Sequence, residues 1–427
     1  MHFIVETDEQ LLKLHPSDEA FVQIITNNSR YHPKLSWVSL VYYHNGDKGY
    51  IICVKHSEAF SISFQRVYDF LSLHKTLWVY DKKSHSYFLD KSNLKDLYFH
   101  QLSIDGKITK PEYETFAHKC MEANYPQYQG LNEIIPISKH YEKWEKIRQQ
   151  SEMWMVKSAN YVDVTDAYRS VEENGLCVTK EIINTYEIKN PEFFIRQGRV
   201  YTSYNLYNPT GRPTNAFNSI NFLAIPKDEK TRSCFTPSND YFVEFDFDAY
   251  HPRIVAQTLG VSLPHSPLHE YFAKEYFGKD EITPEDYQRS KEITFRQMYG
   301  GVLEEYTHIE FFQKMSIKIE QLYSEYKRDG YLTLPTGIRV NKAQRVTPLI
   351  LFNYWVQNLE TLKNYYIISK INNILHNKYT KLVLIAYDAF LFDFSTRDGK
   401  ELLEEIKTAL QTDGMLVKHK WGKTYNL

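Results

Sequence analysis

The chain has few of the residues and patterns that would assign it to a class at once. Its 427 residues include only four cysteines, spread along the chain without a C-x-x-C pair: Cys53, Cys120, Cys177 and Cys234. This spacing argues against a zinc site and favours a reducing compartment. No apolar run reaches the roughly 18 residues that a membrane span needs, and the first ten residues lack the features of a signal peptide. We therefore expect a cytoplasmic protein with no membrane segment.

Net charge is also small, because 51 Lys and Arg nearly balance 53 Asp and Glu, which leaves −2. The molecule as a whole therefore has no attraction for nucleic acid, and any such binding must be local. Aromatic residues are abundant, with 34 Tyr and 25 Phe; most should fill cores, although some could stack on bases. The composition is 42% hydrophobic and 24% charged, which predicts a globular chain with room for two or three domains.

The pattern of residues changes along the chain. Over the first hundred residues, short β-rich runs alternate with turns and a helix, which predicts an α/β layout. From about Pro126 the sequence becomes helical and charged, and a helix is predicted to end at Asn174 and Gly175. Gly, Pro, Asn, Ser and Thr crowd residues 198–222, so this segment should be mostly loop. Strands and helices resume beyond it.

The sequence YFVEFDFDA, at 241–249, alternates apolar and acidic residues. On a strand, Glu244, Asp246 and Asp248 share one face and the apolar residues share the other. Solvated charge on an exposed sheet would explain this pattern equally well. However, Arg253 follows near the start of a predicted helix, where a cation opposes the helix dipole. This arginine should therefore have another task.

A second acidic strand, KLVLIAYDAFLFDF, carries Asp388 inside an apolar run. Burying an unpaired carboxylate is costly, so Asp388 should hold a metal, meet a cation or lie on a turn that water reaches. Two acidic strands that each offer an aspartate suit a two-metal phosphoryl-transfer site, since Mg²⁺ takes few carboxylates. The sequence leaves open whether Asp246 and Asp388 meet.

A helix is predicted at 283–301, with Thr283 as its N-cap. Steps of four place Lys291, Phe295 and Tyr299 along one stripe, which offers a cation for phosphate and two rings for a sugar or base. Core packing is the competing interpretation of such a stripe. Gly300, with the glycine after it, should end or bend the helix.

A later helix carries Asn353 and Gln357 four residues apart in an apolar stretch. Buried polar side chains need partners. The two either pack against each other or contact a ligand.

Taken in chain order, these elements resemble the palm and fingers of the family A DNA polymerases, the group of bacterial DNA polymerase I and many phage replicases. The resemblance covers about residues 165–427. It rests on these motifs: VEENGLCVT, GRVYTSYN, TGRP, the first acidic strand, K-x-x-x-F-x-x-x-Y-G, N-x-x-x-Q, Y-D and a closing VKHKWGKTY. It implies an α+β fold, with a right-hand palm built on an antiparallel sheet, helical fingers and a preceding RNase H-like, exonuclease-like α/β domain.

The resemblance implies a role for each matching residue. Asp246 and Asp388 match the metal-binding aspartates and Phe247 would lend its carbonyl, with Asp248 as a further candidate ligand. Lys291 matches the lysine on the incoming triphosphate. The nucleotide-binding set also contains Phe295, which packs on the sugar, Tyr299, which lies near the templating base, His251 and Gly300. The implied DNA contacts are Arg212, Arg253, Asn353, Gln357 and Tyr387.

The sequence also departs from the family pattern. His251 stands where the family has a glutamate that blocks a ribose 2′-OH, and Ala389 replaces the glutamate of the third motif, a charge that Asp248 could supply. Tyr287 stands where an arginine is expected. The grip on phosphate would then come from other cations: Arg296, Arg339, Lys342 and Arg345.

The N-terminal third is similar to the proofreading exonuclease domain of the same polymerases. Where that family has its D-x-E pair, this chain has Ile25, Thr26 and Asn27, and His85 replaces an aspartate. Such a site cannot hold two Mg²⁺ ions. We therefore expect three parts: 1–130 as a degenerate exonuclease-like domain, 131–200 as a helical connector or reduced thumb, and 201–427 as palm and fingers, with fingers at about 256–345.

The resemblance implies a template-directed, primer-dependent DNA polymerase of phage or viral type that adds dNTPs to a 3′-OH by a two-metal mechanism, without proofreading. Its cofactors would be two Mg²⁺ ions, with Mn²⁺ as a substitute. Its partners would be primer-template DNA and dNTPs, with a processivity factor, helicase or primase as further candidates. Two alternatives stay open: a single-subunit RNA polymerase-like or relaxed-sugar enzyme, and a non-catalytic DNA-binding subunit.

Overall fold

The structure is a computed structural model, and it describes residues 4–89, 93–109, 131–217, 219–341 and 346–427. The chain forms two compact units. One consists of Met1–Arg169 with Asn190–Gln197, and the other of Ser170–Lys189 with Gly198–Leu427. The predicted domain boundary at residue 130 lies outside the described residues. Within the described residues, every helix is too short or too polar to cross a membrane.

The first unit is built on one mixed sheet. Its strands are β1 (Ile4–Val5), β2 (Glu19–Thr26), β3 (Val38–His44), β4 (Gly49–Cys53), β5 (Thr76–Val79) and β6 (Leu94–Asp96). They lie in the order β1-β4-β3-β2-β5-β6, and β3 runs antiparallel to both of its neighbours while the other pairs are parallel. The helices are α1 (Asp8–Leu12), α2 (Phe64–Leu71), α3 (Lys82–His85), α4 (Leu97–Asp105) and α5 (Ile137–Met155).

Both faces of this sheet are covered, which explains why β3 is buried along its whole length. One face packs with α2 in a core that includes Val22, Val41, Ile52, Val67 and Leu71. The opposite face packs with α5 in a core that includes Phe21, Leu40, Ile51, Ile147 and Trp154. The Tyr42 hydroxyl also donates to Glu145 of α5 at 2.6 Å. Helix α5, predicted to belong to a connector or reduced thumb, is therefore part of the first unit's core.

His85, which stands where the resemblance would place an aspartate, forms a structural cross-link. Its Nε2 accepts a hydrogen bond from the Ile24 backbone N–H at 3.1 Å, and its Nδ1 donates to the Asp81 carbonyl at 2.6 Å. Burial lowers the pKa of His85, so the ring stays neutral near pH 7. Ile25 and Asn27 are buried as well.

The second unit follows α6 (Thr165–Glu172), the helix within which the chain leaves the first unit. Its strands are β7 (Leu176–Val178), β8 (Arg199–Val200), β9 (Tyr204–Asn205), β10 (Thr214–Asn215), β11 (Phe235–Thr236), β12 (Tyr241–Phe247), β13 (Tyr331–Thr333), β14 (Arg339–Asn341), β15 (Lys381–Ala386), β16 (Ala389–Phe394) and β17 (Val417–Gly422). A short strand at Ile195–Arg196 belongs to the first unit. The described residues of 198–222 (all but 218) contain only two-residue strands, which agrees with the loop prediction.

The described part of the second unit also contains eight α-helices. They are α7 (Ile182–Thr185), α8 (Glu229–Arg232), α9 (Tyr250–Leu259), α10 (Leu268–Phe277), α11 (Pro284–Gly300), α12 (Glu310–Asp329), α13 (Pro348–Ile374) and α14 (Gly399–Leu410). The predicted N-cap of α11 is confirmed, since Thr283 and Asp286 form a capping box.

The main sheet of the second unit has four antiparallel strands in the order β15-β16-β12-β17. The predicted alternation of β12 is confirmed: Val243, Phe245 and Phe247 are buried, Glu244 is half-buried and Asp246 is exposed. Because β12 is a central strand, its last residues are held by hydrogen-bonded neighbours on both sides. This edge of the sheet is where the candidate site forms.

Candidate active site

A cavity of about 360 Å³ opens in the second unit where β12 ends. It is lined by residues from the end of β12, the β15–β16 turn and helices α9, α11 and α13. It brings together these predicted site residues: Arg212, Asp246, Phe247, Asp248, His251, Lys291, Phe295, Tyr299, Tyr387 and Asp388. The predicted residues that do not line it are Arg253, Gly300, Asn353 and Gln357.

The two aspartates are neighbours across the sheet. Asp246 pairs with Ala389 on β16, and the Phe247 backbone N–H donates to the Asp388 carbonyl at 3.1 Å. Partial burial, and then the nearby charges of Asp388 and Glu244, raise the pKa of Asp246 to about 6. Burial also raises the pKa of Asp388. The fold therefore forces two carboxylates together in a site that favours a bound cation.

The turn that carries Asp388 has an uncommon backbone. Tyr387 has a φ of +61°, a region that bulky residues avoid. Three contacts hold this residue in place: Asn364 donates to its carbonyl at 3.1 Å, the Tyr250 hydroxyl holds Asn364 at 2.6 Å, and the Arg212 guanidinium lies 3.9 Å from the centre of the Tyr387 ring. Strain of this kind persists only where the surroundings fix it, as they do here.

The predicted stripe on α11 faces the cavity rather than a core. Lys291 is exposed, and Phe295 is 38% exposed. The rings of Phe295 and Tyr299 are stacked with centroids 6.1 Å apart, and Lys291 Nζ lies 5.9 Å from the Phe295 centroid. Burial raises the pKa of Tyr299 to about 12, so its hydroxyl remains protonated. The helix thus presents a cation and two rings along one wall.

A chain of polar contacts joins residues that line the cavity. His251 Nδ1 contacts the Tyr299 hydroxyl, and His251 Nε2 contacts the Glu360 carboxylate. Glu360 also binds the Arg212 guanidinium, at 3.2 Å to Nε and 3.0 Å to Nη2.

Asp248 lines the cavity, but its carboxylate contacts neighbouring segments of the chain. β12 ends at Phe247, so Asp248 lies in a turn where strand alternation no longer sets its direction. Its Oδ2 accepts from the Leu268 backbone N–H at 3.2 Å and lies 3.5 Å from Arg253, while Oδ1 lies 3.4 Å from Lys418. At 9% exposure it is also not the solvated charge that the alternative interpretation required. Asp248 anchors the start of α10.

The prediction that Arg253 contacts DNA needs correction. Its side chain is 4% exposed, and it donates to the carbonyls of Asp248, Pro264 and Ser266 at 3.0, 3.1 and 2.8 Å. These contacts tie α9 to the loop that precedes α10. This structural task explains why a cation is tolerated near the start of α9 despite the helix dipole.

Asn353 and Gln357 lie one turn apart on α13 but outside the cavity. In the part of the chain that the structure describes, no hydrogen bond joins their side chains, and Asn353 Oδ1 is buried without a partner. A hydrogen bond from Gln357 therefore does not supply the partner that Asn353 Oδ1 lacks. Gly300 is the last residue of α11 and is exposed; the left-handed backbone belongs to Gly301, with a φ of +97°.

Three further residues with charged or imidazole side chains line the cavity and were not singled out from the sequence: Glu360, His269 and Lys418. Glu360 is the first charged residue of α13, and its isolation in an apolar stretch was the available signal. Lys418 pairs with Asp246 on β17, and its charge lowers the pKa of Asp246. His269 is buried with Nδ1 unpartnered, and burial lowers its pKa to about 4.

The other cations that were proposed to bind phosphate do not line the cavity where the structure describes them. Tyr287, where an arginine was expected, lines the cavity and packs edge-on against His269 at 5.8 Å. Arg296 and Arg339 do not line the cavity. Lys342 and Arg345 lie outside the described residues.

The TGRP motif packs closely on α13, and this contact places Arg212 at the cavity. Gly211 has a φ of +68°, and a Cβ on it would lie 2.5 Å from Asn358 Nδ2. Asn358 donates to the Thr210 carbonyl at 3.0 Å, and Thr361 donates to the Gly211 carbonyl at 3.1 Å. Only glycine permits this approach.

Gly211→Ala is therefore expected to lower the free energy of unfolding by about 3 kcal/mol, since it combines a left-handed alanine with an overlap against a fixed side chain. Gly260→Ala is the matched control, because Gly260 also has a positive φ, of +63°, but nothing within 4 Å of the added methyl. The control should lose only about 1–2 kcal/mol. Urea unfolding of both variants measures the difference, and equal losses would contradict the close-approach argument.

In the described ranges of the chain, no group of three or more His, Cys, Asp or Glu side chains is placed to hold a metal ion. The aspartate pair is therefore the candidate cation site on geometric grounds. It would need ligands from backbone, substrate or water to complete a coordination shell.

Comparison with known proteins gives one kind of match. No protein-family model and no curated protein sequence matches the chain. Among solved structures, the chain is similar to the POL domain of Pol1 from M. smegmatis, determined in complex with DNA primer-template and dNTP. The TM-score is 0.65 at 13% sequence identity, and the match covers 97% of this chain and 99% of that chain. The chain thus has a polymerase-like fold, and its mixture of helices and strands confirms the predicted α+β class.

Proposed function

We propose that the chain is a template-directed, primer-dependent DNA polymerase that adds dNTPs to a 3′-OH. The observation that carries the proposal is the cavity in which Asp246, Asp388 and the Lys291–Phe295–Tyr299 stripe converge, on a polymerase-like fold. Carboxylates for cations, an ammonium for phosphate and stacked rings for a nucleoside are complementary to a nucleoside triphosphate.

The residues present fit divalent metal ions. The raised pKa of Asp246 reflects a carboxylate short of water and beside a second carboxylate, and a divalent cation would relieve both conditions. Asp246 and Asp388 would hold Mg²⁺ or Mn²⁺, with the Phe247 carbonyl. When bound, the metal supplies positive charge that activates the primer hydroxyl and stabilises the phosphoryl oxygens.

The chain's own residues then bind and orient the nucleotide. Lys291, exposed in the cavity, would pair with the triphosphate. Phe295 would pack on the sugar and Tyr299 would support the base next to the template. Arg212 and Tyr387, which are stacked on each other, would contact the primer-template. His251 would occupy the space where a ribose 2′-OH enters, and so favour dNTPs.

Primer extension tests this function. Wild-type protein is supplied with a primer-template, Mg²⁺ and either dNTPs or rNTPs. Extension with dNTPs supports the proposal, and extension with rNTPs alone supports the single-subunit RNA polymerase-like alternative. Binding of DNA without extension would favour the non-catalytic subunit, although such a subunit has no need of two crowded aspartates beside an exposed lysine.

We further propose that residues 1–130 are a degenerate exonuclease-like scaffold and that residues 201–427 carry the polymerase activity. We expect no 3′ to 5′ degradation of mismatched primers with Mg²⁺ or Mn²⁺, because Ile25, Asn27 and His85 offer no carboxylate for metal. A gel assay with labelled mismatched primer checks this. Degradation that persists in Asp388→Ala and is lost on changing the first unit would overturn it.

A further inference from the structure

Glu360 is a buried carboxylate that connects three segments far apart in sequence. Its side chain is 3% exposed. It binds Arg212 of the TGRP loop through two contacts and His251 of α9 through Nε2, while it lies itself on α13. A buried carboxylate with a guanidinium at 3.0 Å is held in its ionised form. It can therefore only accept hydrogen bonds.

The contact with Glu360 determines the hydrogen-bonding role of His251 Nε2. Since ionised Glu360 only accepts, His251 Nε2 must carry a proton and donate it. His251 Nδ1 lies at the Tyr299 hydroxyl, which donates to it when the imidazole is neutral. Both ring nitrogens are thus engaged within the protein, and the ring is held at two ends.

An imidazole whose two nitrogens are both hydrogen-bonded within the protein cannot form a hydrogen bond to an additional hydroxyl group. A ribonucleotide differs from a deoxynucleotide by one hydroxyl on the sugar. Against this ring, the hydroxyl would find no donor or acceptor to replace the water it loses, and the ring could not swing aside. A polar group buried without a partner is strongly disfavoured.

We propose that Glu360 is a positioning residue that determines sugar specificity: it holds His251 against Tyr299, and so makes the cavity prefer deoxynucleotides over ribonucleotides. The inference rests on the proposed function, because it requires a nucleotide in this cavity. Glu360 acts through His251 and touches no reacting atom.

The kinetic test compares kcat/KM for single additions of dATP and ATP in Glu360→Ala, His251→Ala and the double variant. Glu360→Ala frees His251 Nε2, so the preference for dATP should fall by about 10- to 100-fold, the factor for one unpaired buried hydroxyl. Because the effect passes through His251, adding Glu360→Ala to His251→Ala should change the ratio little further. An unchanged ratio in Glu360→Ala, or independent effects that multiply in the double variant, would overturn the proposal.

Arg212→Lys is the matched control, since it removes the guanidinium but keeps a cation beside Glu360 and leaves the contact to His251. It should weaken primer-template binding and leave the ratio of dATP to ATP use unchanged. If it lowers the ratio as Glu360→Ala does, any disturbance of the buried ion pair is the cause and the positioning role is wrong.

Histidine NMR gives a readout that does not depend on activity. In isotope-labelled protein, the His251 signals are assigned from the spectrum of His251→Ala. They should show the Nε2–H form in the wild type, and their chemical shifts should change in Glu360→Ala because the Nε2–H loses its carboxylate acceptor. If the wild type extends no primer, the proposed function fails, and the spectra still decide whether Glu360 holds His251; an unaltered His251 pattern in Glu360→Ala would refute that.

Discussion

Asp246→Asn and Asp388→Asn are each expected to reduce nucleotide addition by about a thousand-fold or more, because each removes a carboxylate from the cation site. Asp246 lies on β12 and Asp388 lies in the turn that precedes the paired strand β16, and both line the cavity. Single-turnover extension with saturating dNTP measures the loss. The Asn substitution keeps size and shape, so the fold should remain intact.

Asp246→Asn is expected to raise the melting temperature of the protein although it lowers activity. The pKa of Asp246 is about 6 in the folded protein, against a usual value near 3.9, so the folded state binds the proton more tightly. This carboxylate therefore lowers stability increasingly as pH rises through that window. Without divalent metal, Asp246→Asn should melt above the wild type at pH 7, and the difference should shrink towards pH 4.

Glu244→Gln is the matched control for both measurements. Glu244 lies two residues earlier on β12 and also raises the pKa of Asp246, but it does not line the cavity. The Glu244→Gln variant should have a slightly higher melting temperature than the wild type and should retain near wild-type primer extension. Full activity in either aspartate variant, or an equal loss in Glu244→Gln, would show that the cation site is wrongly assigned.

Lys291→Met is expected to lower kcat/KM for dNTPs by about 100-fold, since it removes a charge-assisted contact to phosphate while the methionine keeps most of the side chain's volume. Lys291 is exposed on the cavity wall and has no ion-pair partner in the described part of the chain, so its loss should leave the melting temperature unchanged. Steady-state addition over a range of dNTP concentrations measures the effect.

Arg296→Met provides the comparison for Lys291. Arg296 is an exposed cation on the same helix, but it does not line the cavity. It should retain the wild-type kcat/KM. A large loss in Arg296→Met, with little loss in Lys291→Met, would mean that the phosphate grip comes from a different face of α11.

Short-range geometry explains what the sequence predicted well. The capping box that starts α11, the spacing of its stripe, and the alternation of β12 up to Phe247 all depend on residues within one or two turns or on strand pleating. These local patterns supplied Asp246, Asp388 and Lys291 as candidates and left open whether the two aspartates meet. They also predicted the loop across 198–222, where turn-forming residues are dense.

Beyond the end of a helix or strand, local sequence patterns did not specify where a side chain points or which residue it contacts. Asp248 follows β12 by one residue and turns inward to α10, and Arg253 binds carbonyls of a loop more than ten residues away. Helix α5 belongs to the first unit because its apolar face packs on that unit's sheet, which its own sequence does not reveal.

The sequence by itself determined the elements and the residue types that bear the chemistry of the cavity. Only the tertiary structure decided which polar groups share a buried environment. Glu360 is the clearest case: its partners, Arg212 and His251, lie 148 and 109 residues away along the chain. A buried charge must find its partners wherever folding brings them, because the cost of leaving it unpaired depends on distance in space and not on separation in sequence.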